Sequence, residues 1–167
     1  MSNINKAFSQ IYDQYVEKIY RFIFIKVNSQ QIAEDLCSET FIRCLNTFKK
    51  DKNKIKNIQA FLYQIARNLV VDYYREKGKV EVVPIEFVSI PAPDVGLEEK
   101  ALTDSDLGEI KQALTNLKEN YQNVIICHYI DDLSIPEIAR IMNKSEGSVR
   151  VTLHRALKAL KNEIKQV

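Results

Sequence analysis

The chain has 167 residues, 46% hydrophobic and 28% charged, with four glycines, four prolines and no tryptophan. That composition can fill a core and excludes wholesale disorder, while the shortage of turn formers disfavours a strand-rich architecture and favours helices. A net charge of +2 conceals a basic, acidic, basic layout: +6 over 1–79 (14 Lys/Arg, 8 Asp/Glu), −6 over 80–106 (1 and 7) and +2 over 107–167 (9 and 7).

The first predicted element is a helix through "INKAFSQIYDQYVEKIYRFIFIKV", where Phe8, Ile11, Tyr12, Tyr15, Ile19, Phe22 and Ile23 recur at helical spacing. Asn28-Ser29 supplies a stop and a new cap. A second helix is predicted from about Gln30 to Thr47, with Ile32, Leu36, Cys37, Cys44 and Leu45 facing inward. The run "FKKDKNKIKN", 48–57, carries five lysines and reads as an exposed basic loop. A third helix follows from about Ile58 to Lys77, its stripe being Leu62, Ile65, Ala66 and Leu69, and Gly78 is expected to end it in a left-handed conformation.

Residues 80–106 hold three of the four prolines and most of the acidic excess, and read as an acidic linker. Beyond it, helices are predicted over Leu107–Leu117 and Glu119–Ile130, with a turn at Asp131-Asp132-Leu133. The fold class is therefore all-α: a helical domain over 1–79, the linker, and a second helical domain over 107–167.

Ser134-Ile135-Pro136-Glu137 reads as a capping box with proline in the first turn. The helix it opens turns at Asn143-Lys144, Ser145 caps the next, and Glu146 sits at that helix's positive end. Val149, Leu153, Ala156, Leu157 and Leu160 make an apolar stripe there. Two short helices joined by a tight polar turn form a helix-turn-helix, whose second helix enters a DNA major groove. The residues expected to meet duplex DNA are Ser145, Gly147, Ser148, Arg150, Val151, His154, Arg155 and Lys158. Arginine's planar fork matches guanine O6 and N7, and Gly147 and Ser148 suit phosphate contacts. The same pattern also describes a helical hairpin with solvated arginines.

Four strings together resemble the extracytoplasmic-function (ECF) sigma factors of bacterial RNA polymerase: "AEDLCSETFIRCL" (33–45), "FLYQIARNLVVDYYRE" (61–76), "LTNLKENYQNVIICHYIDDLSIPEIARIM" (114–142) and "SEGSVRVTLHRALKALK" (145–161). The resemblance implies that the N-terminal domain binds the clamp helices of the polymerase largest subunit and the melted −10 promoter element. It implies that the C-terminal domain docks on the flap of the second-largest subunit and reads the duplex −35 element, with the linker threading toward the active-site cleft. Melted strands are held by basic loops and stacking groups. The candidates are Lys52, Asn53, Lys54, Lys56 and Asn57 in the loop, beside Lys49 and Lys50, and Tyr63, Gln64, Arg67, Asn68 and Arg75 on the third helix, with Tyr74 beside them. Asn68 is equally read as fixing its own helix. Asp35, Ser38, Glu39 and Ile42 are the candidates for the polymerase-binding face. Cys44 and Phe61 stand where the family often has tryptophan, and Val151-Thr152 where many members are polar or basic, so the −35 sequence does not transfer.

Partners implied are core RNA polymerase, promoter DNA and an anti-sigma factor; inhibition is expected from that separate protein, since no inhibitory domain is expected before the first helix or after Val167. No phosphate loop, zinc-binding helix or nucleophile elbow is present in the sequence, so no catalytic residues, cofactor or metal are expected. The three cysteines, odd in number and without a C-x-x-C, are expected to be buried thiols. With no apolar signal core and no span-length apolar stretch, no membrane span is expected and a cytoplasmic location is. The alternative function is a free-standing helix-turn-helix transcriptional regulator.

Overall fold

The computed structural model describes residues 3–78 and 104–165, and every element among them is helical. Helix α1, Asn3–Val27, ends as expected: Asn28 turns left-handed at φ 49° and its amide donates to the Phe24 carbonyl at 2.7 Å. The Ser29 hydroxyl then accepts from the Ile32 amide at 3.3 Å to open α2, Gln30–Asp51. This helix runs four residues past the predicted end at Thr47. Lysine is a good helix former and favourable in a last turn, so Lys49 and Lys50 prolong α2 rather than break it. The Asp51 carboxylate accepts from the Asn53 amide at 3.0 Å, and Lys52–Lys54 form one 3₁₀ turn. The expected basic loop is thus only partly a loop.

Asn57 caps α3, Ile58–Lys77, by accepting from the Ala60 amide at 2.9 Å. Gly78 departs from expectation: its φ of −63° and ψ of −7° are right-handed. Its value is steric, because a Cβ there would lie 2.8 Å from the Tyr74 carbonyl oxygen.

The C-terminal half contains α4, Asp104–Thr115, and α5, Glu119–Ile125, which widens into a π turn over Ile126–Ile130. Helices α6, Ile135–Met142, and α7, Glu146–Lys165, complete it. The predicted acidic linker falls, except for 104–106, outside the described residues. The capping box of α6 is formed: Ser134 accepts from the Glu137 amide at 3.3 Å, and Glu137 accepts from the Ser134 amide at 3.0 Å. Ser134→Ala removes one half of it and is expected to cost about 1 kcal/mol, read as a lower midpoint in urea at unchanged slope.

Helices α1 to α3 pack on one another, and in the C-terminal half α4, α5 and α6 each pack against α7. The two groups then meet, α3 lying against α6, and their buried residues join in one hydrophobic cluster. The end of α1 shows the consequence. Phe22, Ile23, Phe24, Ile25 and Lys26 are buried in succession, whereas a surface helix buries only a stripe. Helices of its own half cover one side of this segment and the C-terminal half covers another, with Lys111 Nζ of α4 4.9 Å from the Phe24 ring centre. The expected core position Tyr12, by contrast, is 45% exposed.

Candidate nucleic-acid interface

Helix α7 begins with the Ser145 hydroxyl accepting from the Ser148 amide at 3.1 Å. It buries Val149, Leu153 and Ala156, and leaves Ser145, Gly147, Ser148, Arg150, Val151, His154, Arg155 and Lys158 all exposed. Leu157, expected in the stripe, is 36% exposed and belongs to the outer face. The turn before α7 is built by Asn143, left-handed at φ 54°, with the Lys144 amide donating to the Ala139 carbonyl at 3.0 Å. Arg150 reaches back to Glu146 at 3.5 Å. Such an exposed pair is held weakly and gives way to a stronger acceptor. Space around Gly147 is open, which leaves the first turn free for close approach by a phosphate.

The second candidate surface is divided. Lys52, Asn53, Lys54 and Lys56 are exposed, and Lys54, Lys56 and Asn57 line an open cleft of about 650 Å³ together with Arg140 and Asn143 from the C-terminal half. Asn57 also lines it, although its carboxamide oxygen is occupied by the cap. Asn68 and Arg75 are exposed, with Arg75 3.6 Å from Asp72. Tyr63 is not: the expected stacking platform is fully buried. Its ring meets Phe22 edge-on at 5.3 Å between centres, and its hydroxyl donates to Asp131 Oδ2 at 2.6 Å. Gln64 donates to the carbonyls of Arg140 and Ile141, each at 3.3 Å, and Arg67 Nη1 lies 3.7 Å from Met142 Sδ. Gln64 thereby serves the end of α6, whose last carbonyls lack partners in their own helix, while Arg67 meets the side chain of its last residue. Tyr74, 46% exposed, donates its hydroxyl to the Lys26 carbonyl.

On α2, Asp35, Ser38 and Ile42 are exposed and Glu39 is half-buried, paired with Arg43 at 2.8 Å. Their spacing of three and four residues puts them on one face. Ser38 also borders a groove of about 260 Å³ between α1 and α2, floored by Val16, Tyr20 and Cys37.

Residues 11–80 match the Sigma-70 region 2 family and residues 107–160 the Sigma-70 region 4 family. The ECF RNA polymerase sigma factor SigW of Bacillus subtilis is 33% identical over 96% of this chain and 90% of its own length. The chain belongs to the ECF sigma factors. BldN of Streptomyces coelicolor, another ECF sigma factor, is 32% identical over 92% of this chain, which spans 59% of BldN's length. Two solved structures share the fold. One is the sigma factor RpoE of Bartonella quintana, in complex with the anti-sigma factor NepR (TM-score 0.71, 24% identity, 96% of this chain and 98% of that one). The other is CnrH in complex with the cytosolic domain of CnrY (TM-score 0.70, 19% identity, 97% and 90%). This protein is thus an RNA polymerase sigma factor, and a free-standing regulator is not favoured. Among the described residues, no helix of this sigma factor is long and apolar enough to cross a membrane.

Sequence reasoning missed Asp131 in this sigma factor. Read as a turn residue, it is 1% exposed and accepts from Arg21 Nε at 2.9 Å as well as from Tyr63. Burial pushes its carboxyl above the ordinary range, against the pull of Tyr63 and Arg21. The Tyr63 hydroxyl is pushed far up by burial and by the carboxylate beside it, so it keeps its proton and stays a donor. The three thiols are buried as expected, and burial pushes Cys37 and Cys44 up to about 11 and Cys127 higher still.

Proposed function

We propose that this ECF sigma factor acts through two domains, 1–79 and 107–167, joined by the acidic linker 80–106. The C-terminal domain reads the duplex −35 element with α7 and meets the flap of the polymerase second-largest subunit. The N-terminal domain binds the clamp helices through the α2 face of Asp35, Ser38, Glu39 and Ile42. It holds the melted −10 strand on the basic segment and α3. The observation that carries this reading is the outer face of α7, where eight side chains or backbone positions suited to DNA are exposed together while the opposite stripe is sealed. Ile42, 51% exposed, lies on the same face of α2 as Asp35, Ser38 and Glu39, so that face offers a polar rim around one apolar side chain.

The protein performs no reaction of its own in this reading and works in the cytoplasm. A separate anti-sigma protein silences it in this reading; the similarly folded RpoE is held in a complex with the anti-sigma factor NepR. The test is run-off transcription with core polymerase over a randomised promoter library, beside gel shifts with and without core enzyme. Sequence-specific initiation that requires core enzyme is the expected result; tight specific binding by the chain alone would overturn it. Within that assay, Arg150→Ala is expected to relax preference at one −35 base, at a cost of about 1–3 kcal/mol. A uniform loss across all promoters would mark Arg150 as a phosphate contact.

A further inference from the structure

Opposite the buried stripe of α7 runs a crest that faces away from the protein. Val151 stands at its centre: two residues after Val149 and two before Leu153, it points roughly 160° round the helix from each. It is 49% exposed. Gly147 lies one turn earlier on the same crest, and His154 and Arg155 lie one turn later. Arg150 and Arg155 flank Val151 on opposite sides with longer, cationic side chains, and both are exposed. A lone apolar side chain on a surface needs no explanation in itself. The position of this one, between groups that attract a polyanion, does.

Neither Gly147 nor Val151 is explained by the helix that carries it. Glycine is a poor helix former, and β-branched valine loses rotamer freedom in a helix. Gly147 has no left-handed backbone to accommodate, and a Cβ there would meet nothing within 4 Å. The fold therefore has no need of glycine at 147, whereas a surface laid against the crest from outside gains from it. The side chain of Val151 carries no donor and no acceptor. In a major groove every base pair presents hydrogen-bonding edges, and thymine alone adds an apolar group, its C5-methyl. Set against a guanine or cytosine edge, Val151 would strip water from polar atoms and return no hydrogen bond. Set against thymine, it covers the methyl.

We propose that Val151 is a specificity-determining residue of α7, packing against the C5-methyl of one thymine in the −35 element, and that Gly147 lets the helix sit close enough for so short a side chain to reach it. This rests on the assignment of α7 to the −35 element made under Proposed function. Specificity at that base pair then comes from both directions: the methyl is covered where thymine is present, and polar edges are left without partners where it is not.

The test uses the full chain with core polymerase and a promoter duplex selected from the randomised library. Each thymine of the −35 element, on either strand, is replaced in turn by deoxyuridine, which removes the methyl and keeps every hydrogen-bonding group. The expected result is a loss of about fourfold in promoter affinity at one thymine, the effect of uncovering a single methyl. Val151→Ala should bind the thymine and deoxyuridine duplexes alike. Gly147→Ala should also lose the distinction, by holding the helix off, while its thermal midpoint does not fall, because the added methyl meets open space and alanine favours a helix. Arg150→Ala should keep the distinction. A −35 element without a preferred thymine, deoxyuridine tolerated at every position, or a loss that persists in Val151→Ala overturns the proposal, and if other −35 bases still alter binding the assignment of α7 stands. Binding indifferent to every −35 base overturns that assignment, and the proposal with it.

Discussion

Phe22→Ala is expected to destabilise the protein by about 3–5 kcal/mol, which for a chain of this size lowers the thermal midpoint by roughly 10 °C or more. The side chain is 1% exposed at the end of α1. Truncation leaves a cavity where the ring meets Tyr63 edge-on at 5.3 Å and where Lys26 Nζ stands 5.0 Å from its centre. The loss is not confined to the N-terminal half. Tyr63 holds Asp131, and Phe24, two residues along, is covered by Lys111 of α4. The shared cluster therefore predicts one cooperative transition, with helix content and tyrosine fluorescence falling together at a lower temperature. Tyr12→Ala, 45% exposed on the same helix, is the control and should move the midpoint far less. Two separated transitions, the later one unmoved by Phe22→Ala, would show that the halves keep independent cores.

What could be read from the sequence follows a physical division. The caps at Ser29, Asn57, Ser134 and Ser145 are local: each side chain bonds an amide three residues on, and three of the four were anticipated. The outer face of α7 was legible for the same reason, since helical spacing alone sorts Val149, Leu153 and Ala156 from Arg150, His154 and Arg155. Contacts between the halves have no such signature. Asp131 follows a helix and precedes another aspartate, so a turn explained it fully, and nothing nearby points to Arg21, 110 residues earlier. Tyr63 was legible as an aromatic on the third helix but not as buried, because its cover comes from another part of the chain. The π turn was invisible because an i→i+5 bond needs no particular residue. The end of α2 was misjudged for a different reason: a lysine run looks like a loop by hydropathy while being compatible with a helix by propensity.

Lys26 shows how far a local reading can mislead, and it yields the second large effect. A lysine in the last turn of a helix is ordinarily a solvated complement to the helix dipole. Here it is 5% exposed, and burial lowers its ammonium from 10.5 to about 8, partly opposed by Glu119. Holding the charge at neutral pH therefore costs about 3 kcal/mol, less about 1 kcal/mol returned by the Phe22 ring. Lys26→Met keeps the length of the side chain and its apolar stem, so it should stabilise the protein by about 2 kcal/mol at pH 7. The sign with pH is fixed by linkage. Between about 8 and 10.5 the unfolded chain still binds the proton that the folded chain has released, so wild-type stability gains from this group as pH rises. The advantage of Lys26→Met should consequently be full below pH 8 and shrink through that window. Burial also raises the hydroxyls of Tyr15, Tyr20, Tyr63 and Tyr74, which removes stability in both proteins as pH passes their unfolded value. Taking the difference between the two proteins' urea midpoints at each pH cancels that shared loss. A difference that stays flat from pH 7 to pH 10 would mean that the Lys26 ammonium finds water or a carboxylate in solution.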